Sequence, residues 1–149
     1  MDDTLQVLVV EARFYEDIAD ELARGACEVL DKAGIGYTRL SVPGVFEVPA
    51  AALFALGSAT GRYAGIIALG CVIRGETDHY EHICREASRT LMNISLDPGL
   101  PLGFGILTCE SLEQAEVRAA VDKKNKGADA ARACLRMMEI KNPAAPGST

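Results

Sequence analysis

The run Ala64-Gly-Ile-Ile-Ala-Leu-Gly-Cys-Val-Ile73 constrains this chain more than any other segment. It carries no charge, yet it is about half the roughly 20 residues that a bilayer span demands. Its apolar residues are continuous rather than alternating, as in a strand covered on both faces, so it belongs at the centre of a sheet with a layer on each side. A chain of 149 residues has room for one such domain. A single domain over 1–149 is expected, with an ordered core of about 5–140 and a flexible tail over 142–149.

The flanking segments supply the rest of a layered fold. Leu5-Gln-Val-Leu-Val-Val10 is a short β-branched run, after which Phe14, Ile18, Leu22, Ala26, Val29 and Leu30 recur at helical spacing until Gly34. A second strand is predicted over about 36–42, ended by Pro43-Gly44, and an Ala-rich helix over Val48 to Leu56, with Gly57 and Gly61 as breakers. After the central strand, Tyr80, Ile83, Cys84, Ala87, Leu91 and Ile94 mark one face of a long helix that Asp97-Pro98-Gly99 terminates. A fourth strand is predicted over Leu102 to Thr108. Ser111-Leu-Glu-Gln114 has the spacing of a capping box and opens a further helix. A polar stretch, Asp122 to Gly127, then separates it from a last helix with Ala131, Cys134, Leu135 and Met138 on one face. Strands alternating with helices imply right-handed crossovers and a parallel sheet with helices on both faces, an α/β fold.

Composition excludes several function classes. Lys+Arg number 15 against 21 Asp+Glu, a formal charge of −6 with no basic stripe, which argues against nucleic acid as a partner. Five cysteines, at 27, 71, 84, 109 and 134, are odd in number and form no C-x-x-C, so neither a disulfide framework nor a zinc cage is indicated, and each is expected to be a small buried hydrophobe. His79 and His82 lie three apart, so H-E-x-x-H is absent; no metal is expected. Met1-Asp2-Asp3 opens without a basic n-region, so no secretory leader is expected, and with no membrane span a cytoplasmic location follows.

In open parallel sheets, ligands bind beyond the carboxyl ends of the strands. The segments there are Ala12 to Tyr15, Pro43 to Glu47, Arg74 to His79 and Cys109 to Ser111. The richest is Gly75-Glu76-Thr77-Asp78-His79. Asp78 and Glu81 match a capping box, which puts His79 in the first helical turn with free backbone N–H groups nearby. This is either an anion site of the kind that favours phosphate or an ordinary strand-to-helix turn with a solvated cap. Gly70 to Thr77 mimics a phosphate-binding P-loop, but Glu76 stands where the lysine is needed, which rejects a nucleoside triphosphatase. His79 near a bound phosphate suits general acid–base work, and as an exposed helix-start residue it needs no special role. Phe14 and Phe46 fall where a ring could cover a planar ligand; core packing is the other use. Glu47 could accept from ligand hydroxyls or simply favour a helix start. Arg118 and Lys126 could neutralise phosphate or line a solvated helix face.

Together these stretches go beyond anonymous α/β patterning. Ala12-Arg-Phe14, Val42-Pro-Gly-Val-Phe-Glu-Val-Pro49, Ala68 to Tyr80 with its R-G-E-T-x-H-Y, Gly103 to Thr108, Glu113-Gln-Ala115 with Arg118, and Asn125-Lys-Gly127 resemble, in order, the motifs of the 6,7-dimethyl-8-ribityllumazine synthase family. The resemblance runs from about Leu5 to the last helix. It implies a flavodoxin-like, three-layer fold with strand order 2-1-3-4. It also implies a transferase of riboflavin biosynthesis, which condenses 5-amino-6-(D-ribitylamino)uracil with 3,4-dihydroxy-2-butanone 4-phosphate and releases phosphate and water without metal or organic cofactor.

By the same resemblance, Phe14 would stack on the pyrimidine, and Val45, Phe46 and Glu47 would hold the ring and ribityl chain. Cys71, Val72 and Ile73 would meet the uracil edge through their backbone. Gly75, Glu76 and Thr77 would cradle phosphate, and His79 would shuttle protons. Phe104, Arg118 and Lys126 would come from a neighbouring subunit: the first closing the pocket, the second gripping phosphate, the third reaching the pyrimidine end. A site shared in this way requires a ring of subunits, so a homopentamer is favoured, with a decamer or a 60-subunit shell as larger forms. Tyr15 stands where Asn or Trp is frequent in that family, and Asp122-Lys-Lys-Asn125 lacks the Gly-rich turn of many shell-forming members. The competing function is a paralogue that binds riboflavin or lumazine without catalysis. Signalling receivers and flavodoxins are disfavoured, because Glu11-Ala-Arg-Phe-Tyr15 is neither an acidic cluster nor a hydroxyl-rich phosphate loop.

Overall fold

The computed structural model describes residues 6–58, 62–75, 79–96 and 99–143. Four strands, β1 (Gln6–Ala12), β2 (Tyr37–Val42), β3 (Tyr63–Ile73) and β4 (Leu102–Cys109), form one parallel sheet in the order β2-β1-β3-β4. Five helices alternate with them: α1 (Glu16–Ala33), α2 (Val48–Ser58), α3 (His79–Leu96), α4 (Leu112–Ala119) and α5 (Lys126–Lys141). The apolar run that anchors the sequence argument is the inner strand β3, buried from Gly65 to Val72.

Each face of the sheet buries its own cluster, as the period of two along a strand demands. Val7, Val9, Ile67, Leu69, Cys71 and Leu107 point towards α1, α4 and α5. Leu8, Val10, Ile66, Ala68, Val72 and Ile106 point towards α2 and α3. The three layers follow from this alternation in β1 and β4 and from the unbroken apolarity of β3.

Close backbone approach is a recurring device. A Cβ on Gly103 would lie 2.0 Å from the Ala130 carbonyl oxygen, and one on Gly65 2.7 Å from the Cys134 sulfur, so α5 sits directly on the β3–β4 corner. A Cβ on Gly127 would meet the Leu22 carbonyl oxygen at 2.0 Å, so α5 and α1 also touch backbone to backbone. α1 stops at Gly34, whose φ of 71° is left-handed and whose following N–H, on Ile35, donates to the Leu30 carbonyl at 3.0 Å.

The structure departs from the sequence expectations in places with clear local causes. β1 continues two residues beyond Val10, through Glu11 and Ala12, because the Glu11 carboxylate is neutralised rather than solvated: it is 1% exposed and bonded to Arg39 and Arg13. α5 begins at Lys126, inside the polar stretch expected to be a connection, because Asn125 takes a left-handed conformation (φ 49°, ψ 52°) that turns the chain into the helix. At the start of α4 the Ser111 hydroxyl accepts the Gln114 N–H at 3.1 Å as expected. The return bond differs: the Gln114 side chain accepts the N–H of Glu110 at 2.8 Å, one residue before the cap. Four of the five cysteines are buried, whereas Cys84 is half-buried. The expected Asp78 cap, the Asp97-Pro98 stop and most of the tail lie outside the described residues, as does Leu5.

Candidate active site at the carboxyl end of the sheet

The connections after β1 and β3 leave the sheet in opposite directions, towards β2 and β4, and this divergence opens a crevice between the two strand ends. A cleft of about 410 Å³ occupies it. Three chain segments build its walls. The turn after β1 presents Phe14 and Tyr15; the segment after β2, Pro43 to Glu47, forms a second wall; the end of β3, Cys71 to Ile73, with Gly75 and the start of α3, forms the third.

The segment after β2 is held close to the sheet by the absence of a side chain. Val45 to Glu47 form a single 3-10 turn whose Val45 is buried, and its Cγ2 would lie 2.8 Å from a Cβ on Gly70. Gly70 is thus what allows the turn to seat over β3. With Val45 turned inward, Phe46 and Glu47 remain outside, and Phe46 is 63% exposed.

Phe14 is 73% exposed and touches Tyr15 edge to face, with ring centroids 4.9 Å apart and planes at 81°. Neither Phe14 nor Phe46 packs in the core, one of the two uses open to them from sequence. Both rings line the cleft and present apolar surface to it.

The floor is apolar and unreactive. Burial pushes the Cys71 thiol up to about 12, helped by the adjacent Cys109 through its charge and a thiol–thiol hydrogen bond, so Cys71 stays protonated at neutral pH. The His79 imidazole also lines the cleft. It stands in the first turn of α3, as its spacing predicted. Glu76 and Thr77, the other two candidates for the anion cradle, lie outside the described residues. Gly75 lines the cleft, and a Cβ there would meet nothing within 4 Å.

Several lining residues were not singled out as ligand contacts from the sequence. Tyr80 and Ile83 were expected only on the core-facing stripe of α3; they pack against the core with one side and border the cleft with the other. The signal was their position within the first turn after the candidate anion site. Arg74 also had no assigned role. Its guanidinium lies 4.7 Å from the Tyr80 ring centre and pairs with Glu110 and Glu81, tying the ends of β3 and β4 to α3.

Three candidates do not line this cleft. Phe104 lies on β4, 44% exposed, on the α2–α3 side of the sheet. Arg118, near the end of α4, donates to the Thr108 carbonyl at 3.3 Å and lies 3.6 Å from the Cys109 sulfur. Lys126 opens α5 and pairs with Asp129 at 3.4 Å. The structure therefore gathers Phe14, Val45, Phe46, Glu47, Cys71, Val72, Ile73, Gly75 and His79 round one cleft and leaves these three elsewhere on the chain's surface. Among the described residues, no cluster of three or more His, Cys, Asp or Glu side chains could hold a metal ion.

Comparison with known proteins points to the same family. The sequence model of the family described as 6,7-dimethyl-8-ribityllumazine synthase matches residues 4–142. The chain is 52% identical over 139 residues to the 6,7-dimethyl-8-ribityllumazine synthase of Afipia carboxidovorans, covering 91% of this chain and 85% of that protein. It is 48% identical to the synthase of Paramagnetospirillum magneticum, over 91% of this chain and 94% of the relative, and 49% identical to that of Bartonella bacilliformis, over 91% and 89%. With the family model matched over nearly its whole length and relatives about half identical to it, the chain belongs to the 6,7-dimethyl-8-ribityllumazine synthase family.

Proposed function

We propose that this chain catalyses the lumazine-forming condensation in the cleft between β1 and β3. The pyrimidine lies between Phe14 and Phe46, its edge meets the backbone of Cys71, Val72 and Ile73, and its ribityl chain is held by Glu47. The phosphate of the second substrate binds where Gly75, Glu76 and Thr77 lead into α3. The observation that carries this reading is the convergence on one cleft of exposed rings, an exposed carboxylate, a strand end and an imidazole at a helix start.

The chemistry matches these groups. The amine of the pyrimidine adds to the ketone and the adduct loses water to give an imine. Phosphate leaves by elimination, and the second amino nitrogen closes the ring with loss of water. Nucleophile and leaving group both come from the substrates, so no protein nucleophile is required, in keeping with a Cys71 thiol held neutral. Fixing two substrates in register can supply roughly 7–11 kcal/mol, whereas one positioned acid–base group contributes about a hundred- to ten-thousandfold. His79 takes the proton released as the imine forms and returns one to the departing oxygen.

The assembly we propose is a homopentamer in which Phe104, Arg118 and Lys126 of one subunit complete the cleft of the next. Two observations support it. None of the three side chains lines the chain's own cleft. In addition, α2 is apolar on all sides yet leaves Leu53 and Phe54 exposed, and α3, which covers the same face of the sheet, leaves Met92 and Leu96 exposed, as helices buried by another subunit do in a single chain. No described helix is long and apolar enough to cross a membrane, and a cytoplasmic location is part of the proposal.

The deciding experiment mixes the purified protein with both substrates and follows lumazine absorbance and phosphate release. His79→Ala is expected to slow turnover by about a hundredfold or more yet leave measurable activity. No acceleration by the unaltered protein would favour the non-catalytic binder instead. Sedimentation analysis checks the pentamer.

A further inference from the structure

We propose that Arg13 is a positioning residue for the pyrimidine substrate, holding rigid the turn that carries Phe14 and Tyr15. The inference rests on the reading of the cleft given above. Only residues 13–15 separate β1, ending at Ala12, from α1, beginning at Glu16. Phe14 is 73% exposed and its edge-to-face partner Tyr15 sits on the same turn, so the direction of both rings is set by that turn's backbone.

The Arg13 side chain fixes that backbone from both directions. Its Nη1 donates to Glu11 at 2.7 Å, on the strand side. Its Nε donates to Glu16 at 2.9 Å and its Nη2 to Asp20, both on α1. Its backbone N–H donates to the Val42 carbonyl at 3.0 Å, which ties the same residue to the end of β2 and so to the second wall of the cleft. A planar guanidinium with a rigid fork can satisfy three carboxylates at once; a lysine ammonium cannot reproduce that geometry.

The network also separates positioning from stability. Glu11 is the buried carboxylate, and Arg39 on β2 holds it independently through Nε at 2.5 Å and Nη2 at 3.0 Å. Removing Arg13 therefore leaves Glu11 paired, whereas removing Arg39 strips the buried charge of its bidentate partner without touching the turn. Arg39 is the stability control and Arg13 the site variant.

The test compares Arg13→Gln, Arg13→Lys and Arg39→Met with Phe14→Ala in the assembled enzyme. Arg13→Gln is expected to raise KM for the pyrimidine by about ten- to a hundredfold, with KM for the phosphate-bearing substrate unchanged, and Arg13→Lys to recover part of the loss. Arg39→Met is expected to lower Tm with both KM values unchanged. A pyrimidine KM unaltered by Arg13→Gln, while Phe14→Ala raises it, overturns the positioning role alone. A silent Phe14→Ala overturns the reading of the cleft and the role of Arg13 with it. If Arg13→Gln fails to fold, the double variant Glu16→Gln, Asp20→Asn releases the turn from the α1 side. The chain has no Trp, so Phe14→Trp then reports the ring's motion. Its fluorescence anisotropy should fall in the double variant, and unchanged anisotropy overturns the proposal.

Discussion

Replacing Phe14 by alanine separates ligand binding from folding with unusual clarity. An aromatic side chain presents about 150–250 Å² when fully bared, so a Phe that is 73% exposed offers about 150 Å² to solvent. A planar ligand stacked on one face covers about half of that, or about 75 Å². At about 25 cal/mol per Å² this is worth about 2 kcal/mol, and offset stacking adds about 0.5–1 kcal/mol. The sum, about 2.5–3 kcal/mol, corresponds to a weakening of pyrimidine binding by about sixty- to a hundred-and-fortyfold. The folded chain loses far less: the edge-to-face contact with Tyr15 is the ring's packing partner, worth about 0.5–1.5 kcal/mol. Calorimetric titration with the lumazine product, beside thermal unfolding of the same samples, measures both terms. Affinity within threefold of the parent, or a stability loss above about 2 kcal/mol, would refute the argument, because either result would make Phe14 a structural residue.

Gly127→Ala pits helix propensity against packing: alanine favours a helix by up to about 1 kcal/mol, but its Cβ would lie 2.0 Å from the Leu22 carbonyl oxygen, so overpacking of about 1–3 kcal/mol or more should prevail. The contrast is Gly57→Ala in α2, where a Cβ meets nothing within 4 Å and a gain of about 0.4–1 kcal/mol is expected; equal effects of the two in urea unfolding would contradict the close α1–α5 approach. Cys71 and Cys134, both pushed up to about 12, are about one part in ten thousand thiolate at pH 8, so iodoacetamide followed by mass mapping should label half-buried Cys84 before either. Glu21 accepts the Val121 N–H at 3.0 Å, and this bond, together with Arg24, holds its carboxyl below its ordinary range. Its stabilisation is thus full above the unfolded carboxyl's pKa and disappears as pH falls through the lower folded one; Tm of Glu21→Gln should trail the parent at pH 7 and converge with it in acid.

What could be read from the sequence was what depends on local pattern. The β3 run, the helical stripe before Gly34 and the Ser111 cap each specify their element with few residues, and the structure has all three. The cleft-side placement of Phe14, Phe46 and His79 also followed, because in an open parallel sheet the segments after the strands meet at one edge. The remainder depends on contacts distant in sequence. Neighbouring Arg13 pairs with Glu11, but the bidentate partner that lets the carboxylate be buried, Arg39, is 28 residues away and invisible to local pattern. The left-handed turn at Asn125, which lets α5 begin early, is fixed by the close packing of that corner on Gly25. Tyr80 and Ile83 look like core residues by spacing alone, and only the shape of the crevice reveals their second use.

The meeting of α5 with Gly65 and Gly103 has an implication for how the carboxyl-terminal end of the chain is tolerated. At that corner the sheet has no upholstery of its own; Ala130 and Cys134, borrowed from the last helix, serve as its missing lining. Shortening the protein up to Asn142 removes nothing from this lining, whereas a cut before Cys134 would bare peptide groups in the middle of the domain. The final helix is thereby part of the sheet's own surface, and the domain needs the chain at least through Cys134.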